Sequence, residues 1–131
     1  MVVDSSALVA VVLREADRER FLDLITQAET LRISAANVLE TGIVLEARGG
    51  EPAGRELDLF LHQAGFEIVP VDAELVDVAR LAWRRFGKGR HPAGLNLCDC
   101  FAYALAKMLD EPLLASGLDF RKTDIRLVDF A

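Results

Sequence analysis

Short apolar runs of β type, at residues 1–3, 31–34, 66–69, 113–115 and 125–128, alternate with longer stretches that carry helical periodicity. Runs this short and this apolar suit strands buried on both faces. Between them, Phe21, Leu24, Ile25 and Ala28 keep i, i+3, i+4, i+7 spacing, as do Leu57, Leu61 and Ala64, and Leu75, Ala79, Ala82 and Phe86. Gly49-Gly50 reads as a helix end with Pro52 opening the next helix, Gly87 as a second stop, and Ser34 and Asp72 as N-caps. Strand and helix alternating in this way predict an α/β fold, a three-layer α/β/α sandwich with a mostly parallel central sheet. A chain of 131 residues, 52% of them hydrophobic, has the length and core of one domain, 1–131. The longest loop expected is 87–96.

Several classes are disfavoured. The apolar run 7–13 is far short of the ~20 residues a bilayer requires, and the start, Met1-Val2-Val3-Asp4, lacks the basic region of a secretory signal, so a cytoplasmic location is expected. Cys98 and Cys100, two residues apart on a helix, point in different directions and do not suit a disulfide; no His neighbours them as a zinc ligand. No glycine-rich nucleotide loop follows a strand, and no Gly-x-Ser-x-Gly elbow occurs.

The acids are placed unusually. Asp4, Glu40, Asp99 and Asp119 are each the only charge in an apolar stretch. A carboxylate in such surroundings must neutralise or find a cation, and none of these stretches supplies Lys or Arg. In a parallel sheet, Asp4 and Asp119 fall at the carboxyl ends of strands, and Asp99 and Glu40 fall in the early turns of helices that start at that same edge, where such sheets bind ligands. Four carboxylates meeting there call for a hard cation held by oxygen, Mg²⁺ or Mn²⁺. Asp4, Asp99 and Asp119 are the expected metal ligands, with Glu40 orienting water; Asp124 competes with Asp119 for its role. Each acid also has a plain structural use: Asp4 as a helix cap, Asp99 in a capping box with Asn96, Asp119 as a turn residue. Glu40 has Ala36, Ile43 and Val44 as helical neighbours, which predicts an inward face.

The net charge is −6, yet Arg80, Arg84, Arg85, Lys88 and Arg90 lie in a stretch without acids that leads into the Asp99 segment. Arg84, Arg85, Lys88, Arg90 and His91 are candidate phosphate-binding groups for a polyanion beside the metal.

Four segments, Val2-Val3-Asp4-Ser5-Ser6-Ala7-Leu8, Ser34 through Glu40, Gly87 through Asp99 and on to Ala106, and Pro112 through Asp119 with Thr123-Asp124-Ile125, closely resemble the PIN-domain toxins of the VapC type. The resemblance spans essentially the whole chain. It implies a small PIN-like α/β/α sandwich, Mg²⁺- or Mn²⁺-dependent cleavage of an RNA substrate, a cognate VapB-type antitoxin and a homodimer, with no membrane association. Carried over by motif, Asp4, Glu40, Asp99 and Asp119 form the acidic quartet, supported by Ser6 through hydrogen bonding. The sequence departs from the usual pattern at Ser5, Cys98, Leu118 and Ala115-Ser116, none of them a quartet position. The helices around 21–28 and 57–64 are expected to offer apolar surfaces to partners. Alternatives are a PIN-like DNA nuclease using the same carboxylates and a catalytically silent acidic α/β binding module.

Overall fold

The computed structural model describes residues 1–128. Along the chain run β1 (Val2–Val3), α1 (Ser5–Val12), α2 (Arg18–Gln27), β2 (Arg32–Ser34), α3 (Ala35–Ala64), β3 (Glu67–Val69), α4 (Ala73–Phe86), α5 (Leu97–Leu109) and β4 (Leu113–Leu114), followed by a 3₁₀ turn, Asp119–Lys122. The strands form one sheet in the order β3-β2-β1-β4, parallel at every pairing. The chain winds outward from β1 to β3, then crosses back to lay β4 on the other side of β1. The direction of winding therefore reverses between β1 and β4, the place where such sheets open a crevice at their carboxyl ends.

Successive strand side chains point to opposite faces, and the core divides accordingly. Val2 and Leu113 pack with α4 and α5 in one cluster, whereas Val3, Ile33 and Leu114 pack with α1, α2 and α3 in another. This is the three-layer sandwich expected from the sequence. Two expectations fail at the margins. β3 is an edge strand, with Ile68 at 47% exposure, so it is not buried on both faces; its shortness limits the unpaired edge. The run 125–128 forms a single bridge, Leu113 to Leu127, instead of a strand.

The break anticipated at Gly49-Gly50 is present inside α3. Gly50 takes φ 70°, a left-handed conformation that glycine adopts without steric cost, and Pro52 follows because it cannot donate to the preceding turn. Ser34 and Asp72 cap α3 and α4, their side chains accepting from Ala36 N–H and Leu75 N–H. The apolar stripes of α2 and of the second half of α3 face inward: Phe21, Ile25, Leu57 and Leu61 are all buried. These four side chains are core, because the sheet face beneath them needs cover, while Leu59 on the same helix is 55% exposed. Leu57→Ala, far from the carboxyl edge, is expected to cost about 3 kcal/mol, the usual loss for a buried leucine. Urea unfolding monitored by circular dichroism gives the number, and a change under about 1 kcal/mol would contradict the packing.

Candidate active site: a carboxylate cleft at the sheet edge

At the amino edge of the sheet, acids and bases close on one another. Glu111 accepts from the Met1 ammonium at 3.0 Å and from Arg32 at 2.6 Å, and Arg32 also reaches Glu67 at 2.8 Å. Burial pushes the Glu111 carboxyl up, but the ammonium and Arg32 outweigh it and hold it below the usual range. The carboxyl edge is the opposite case. None of Asp4, Glu40, Asp99 and Asp119 enters an ion pair among the described residues.

Asp4 ends β1, where its N–H donates to Leu114 O at 2.9 Å across the reversal point. It caps α1 through one oxygen: Oδ2 accepts from Ser6 N–H at 3.0 Å and from Ser6 Oγ at 2.6 Å. Its Oδ1 is buried with no hydrogen-bond partner among the described residues, and the residue is only 4% exposed. Burial drives the Asp4 carboxyl up to about 6; the two bonds from Ser6 offset this only in part, and the charges of Asp99 and Glu40 add to it. Ser6 Oγ also accepts from Ser116 N–H at 2.9 Å, so one hydroxyl joins the Asp4 turn to the loop that leads to Asp119.

Asp99 lies in the first turn of α5 and forms the anticipated capping box with Asn96. Asn96 Oδ1 accepts from Asp99 N–H at 2.9 Å, and Asp99 Oδ2 accepts from Asn96 N–H at 3.0 Å. Its carboxyl is raised, first by burial and then by the charges of Glu40 and Asp119, against the bond from Asn96. The capping uses and the site reading are therefore compatible: each carboxylate gives one oxygen to a helix N-terminus. Glu40 is half-buried on α3 and Asp119 is exposed at the start of the 3₁₀ turn. Through these mutual charges, all four acids fall within electrostatic reach around Asp99.

Two placements differ from the sequence reading. The inward face of α3 is made by Asn37, Thr41 and Leu45, each 0% exposed, while Ile43 is 60% exposed; Glu40 thus sits on the rim of the cleft and not on the core face. Hydrophobic periodicity passes over Asn37 and Thr41 because they are polar. Asp124 is not brought to the quartet. It accepts from Tyr103 Oη, from Lys107 at 3.1 Å and from Arg85 at 3.4 Å, farther along α5. Burial works to raise its carboxyl, but these donors and charges hold it below the usual range. Cys98, beside Asp99, has its thiol pushed up to about 12 by burial and by the hydrogen bond and charge of Glu40, which keeps it protonated.

The basic loop between α4 and α5 closes just before Asn96, where Leu95 N–H donates to Phe86 O at 3.0 Å and Lys88 N–H to Leu95 O at 2.9 Å. A Cβ at Gly87 would collide with the backbone oxygen and indole of Trp83, so glycine is required for this return. Arg90 lies 4.7 Å over the Trp83 ring and donates to Arg84 O. Arg85 is held by Asp124, and His91 Nδ1 accepts from Ala93 N–H at 3.0 Å, which gives His91 a part in loop shape. Arg84 and Lys88 are exposed and enter no ion pair among the described residues.

The donor set fits a hard divalent cation. The groups are carboxylates that no Lys or Arg pairs among the described residues, where the buried oxygen of Asp4 also lacks a donor; a cation satisfies both demands. Among the described residues no three acidic, His or Cys side chains already enclose an ion position.

Residues 1–126 match the family model described as PIN domain. The chain is 54% identical over 128 residues to a ribonuclease VapC of Mycolicibacterium smegmatis, covering 98% of this chain and 99% of that protein. It is likewise 54% identical over 129 residues to ribonuclease VapC30 of Mycobacterium tuberculosis, covering 98% of each. Among solved structures, the sarcin-ricin loop cleaving toxin VapC20 of Mycobacterium tuberculosis superposes with a TM-score of 0.79 at 18% identity, over 97% of both chains. VapBC2 of Rickettsia felis, bound to a promoter DNA fragment, gives 0.76 at 15% identity, over 99% of this chain and 98% of that one.

Proposed function

This chain belongs to the PIN-domain family, and from that premise we propose that Asp4, Glu40, Asp99 and Asp119 are the catalytic carboxylates of a metal-dependent endoribonuclease. The protein is a ribonuclease toxin of the VapC type, and its partner is a VapB-type antitoxin. The observation that carries the site reading is the buried, donorless Oδ1 of Asp4 in the company of three further acids. The proposal takes the whole chain, 1–131, as one domain. Mg²⁺ or Mn²⁺ is the proposed ion, because both prefer all-oxygen ligation.

The chemistry follows from what each residue offers. When bound, the cation supplies polarised water and neutralises charge on the scissile phosphate. Asp4 and Asp99 would hold it, since both are anchored through one oxygen, which fixes the carboxylate plane. Asp119, on an exposed turn, completes the site from the β4 side, and Ser6 keeps that loop in register with Asp4 through Ser116. Glu40, on the rim, would orient the attacking water. The N-termini of α1 and α5 direct their positive dipole ends toward the cleft, which favours bound anions. Asp124 acts instead as the clamp on Tyr103 and Lys107.

Arg84 and Lys88 are the proposed phosphate-binding residues of the basic loop, with Arg90 supported on Trp83 and Arg85 shared with Asp124. The double change Arg84→Ala, Lys88→Ala should weaken RNA binding without regard to sequence. It should also flatten the log-log salt dependence by about one unit for each phosphate that is no longer neutralised. Fluorescence anisotropy across a salt series tests this; an unchanged slope removes both residues from the interface.

A homodimer belongs to the same proposal, its face being α4 and α5, where Leu81, Trp83 and Leu97 are 51%, 45% and 74% exposed. No helix among the described residues is long and apolar enough to cross a membrane; a cytoplasmic site of action is proposed with the ribonuclease reading, because that is where its RNA substrate lies. The deciding assay for the reaction is incubation of antitoxin-free protein with matched RNA and DNA strands, with Mg²⁺, Mn²⁺ or EDTA. Cleavage confined to RNA and lost in EDTA is expected. Cleavage of DNA alone, or undiminished cleavage in EDTA, would overturn it.

A further inference from the structure

The hydrogen bonds of Asn37 tie together the three segments that carry Asp4, Glu40 and Asp99. Asn37 is 0% exposed and stands on α3 one turn before Glu40. Its Nδ2 donates to Ser5 Oγ at 3.1 Å and to the carbonyl of Cys98 at 3.1 Å. Its backbone carbonyl accepts from Ser5 Oγ at 3.2 Å and from Thr41 Oγ1 at 2.6 Å. Ser5 adjoins Asp4, and Cys98 adjoins Asp99, so a single amide spans the gap between the two best-anchored carboxylates.

Packing alone does not account for an asparagine here. A buried amide costs free energy unless every polar atom is matched, and an apolar side chain of similar size avoids that cost. Asn37 is not fully matched: its Oδ1 is buried without a donor. The other buried side-chain atom without a partner among the described residues is Asp4 Oδ1. Both orphaned acceptors thus lie on segments that the amide joins, since Ser5, which it binds, follows Asp4 directly in the chain.

We propose that Asn37 is a positioning residue of the cation-binding site: its amide, bonded to Ser5 Oγ and to the Cys98 carbonyl, fixes the Asp4 turn against the Asp99 turn. The inference rests on the carboxylate assignment above. It also accounts for the polar inner face of α3, which the hydrophobic pattern does not explain.

Direct titration of Mn²⁺ into the purified, antitoxin-free protein tests it, with thermal midpoints of the metal-free forms measured in parallel. Asn37→Ala is expected to weaken Mn²⁺ binding about tenfold or more, the cost usual for groups that orient metal ligands. Thr41→Val is the matched control. It deletes a buried hydrogen bond to the same residue, leaves the amide bridge intact, and should hold the affinity within about twofold while also lowering the midpoint. If Asn37→Ala does not fold, Ser5→Ala, which removes one acceptor of the amide, takes its place with the same direction of effect. Wild-type affinity in the folded bridge variant, or an equal loss in Thr41→Val, overturns the proposal. A wild-type protein that binds no Mn²⁺ overturns the carboxylate assignment itself, and binding without RNA cleavage counts against the ribonuclease chemistry alone.

Discussion

Asp4→Asn is expected to abolish cation-dependent RNA cleavage and to leave a folded protein. The substitution keeps the cap, because an asparagine carbonyl accepts from Ser6 N–H and Oγ as the carboxylate does, and it removes a charge that burial penalises. The cation loses far more. At an effective dielectric of about 20, two unit charges about 4 Å apart attract by about 4 kcal/mol, and a divalent ion doubles this. Losing even half of that from the complex that carries the phosphate charge corresponds to about three decades in rate. Cleavage rates per mole of folded protein, read with far-ultraviolet circular dichroism on the same samples, decide the matter. Activity within about tenfold of wild type in Asp4→Asn would remove Asp4 from the metal site. Asp124→Asn is the informative counterpart, since Asp124 faces Tyr103, Lys107 and Arg85: it should lose stability and retain cleavage.

Residue type alone does not separate those two aspartates; their neighbours do. Asp124 and Glu111 sit among cations and are held ionised below the usual range. Asp4 and Asp99 are raised, first by burial and then by the charges of the other acids around them. The amino edge of the sheet is thus electrostatically closed, and the carboxyl edge carries negative charge that no ion pair among the described residues neutralises. Strongly perturbed acids gathered at a sheet's switch point mark a functional site more than a structural one.

Much of this is readable from the chain. Gly50 with Pro52, Ser34, Asp72, and Asn96 with Asp99 are local signals, decided within a turn of helix, and local chemistry specifies them almost completely. The lone acids are legible for a similar reason: an isolated charge in an apolar stretch is conspicuous whatever the fold. What cannot be read depends on partners distant in sequence. Ile68 looks like a core strand residue until the strand order leaves β3 at the edge. Phe21 and Leu57 resemble a docking stripe until the sheet takes them as cover. Asn37 and Thr41 escape notice because periodicity scores apolarity, while the burial of Asn37 is compensated by hydrogen bonds to Ser5 and Cys98 across 32 and 61 positions of sequence, and that of Thr41 by its bond to the Asn37 carbonyl.

The metal-free protein should become more stable relative to Asp4→Asn as the pH falls from about 7.5 toward about 4, by about 3 kcal/mol in all. Asp4 titrates at about 6 in the folded chain against an ordinary 3.8, so the folded state binds the proton more tightly than the unfolded one. Below pH 3.8 both states are protonated and Asp4 imposes no penalty; between 3.8 and 6 the penalty grows; above 6 it is complete and constant. Absolute stability is a poor readout, because Glu111 and Asp124, whose folded values are lowered, lose their contribution as pH drops and pull the other way. Subtracting the Asp4→Asn profile cancels them and leaves the Asp4 contribution, with Asp99 modifying it through its charge. Denaturant unfolding at a series of pH values in EDTA supplies the two curves. Adding Mg²⁺ or Mn²⁺ at pH ~7.5 should then stabilise the wild type and scarcely move Asp4→Asn, since a cation relieves the same uncompensated charge that a proton does. Parallel pH profiles for the two proteins would show that Asp4 is not strained by its surroundings, and equal stabilisation of both by the cation would place the metal elsewhere.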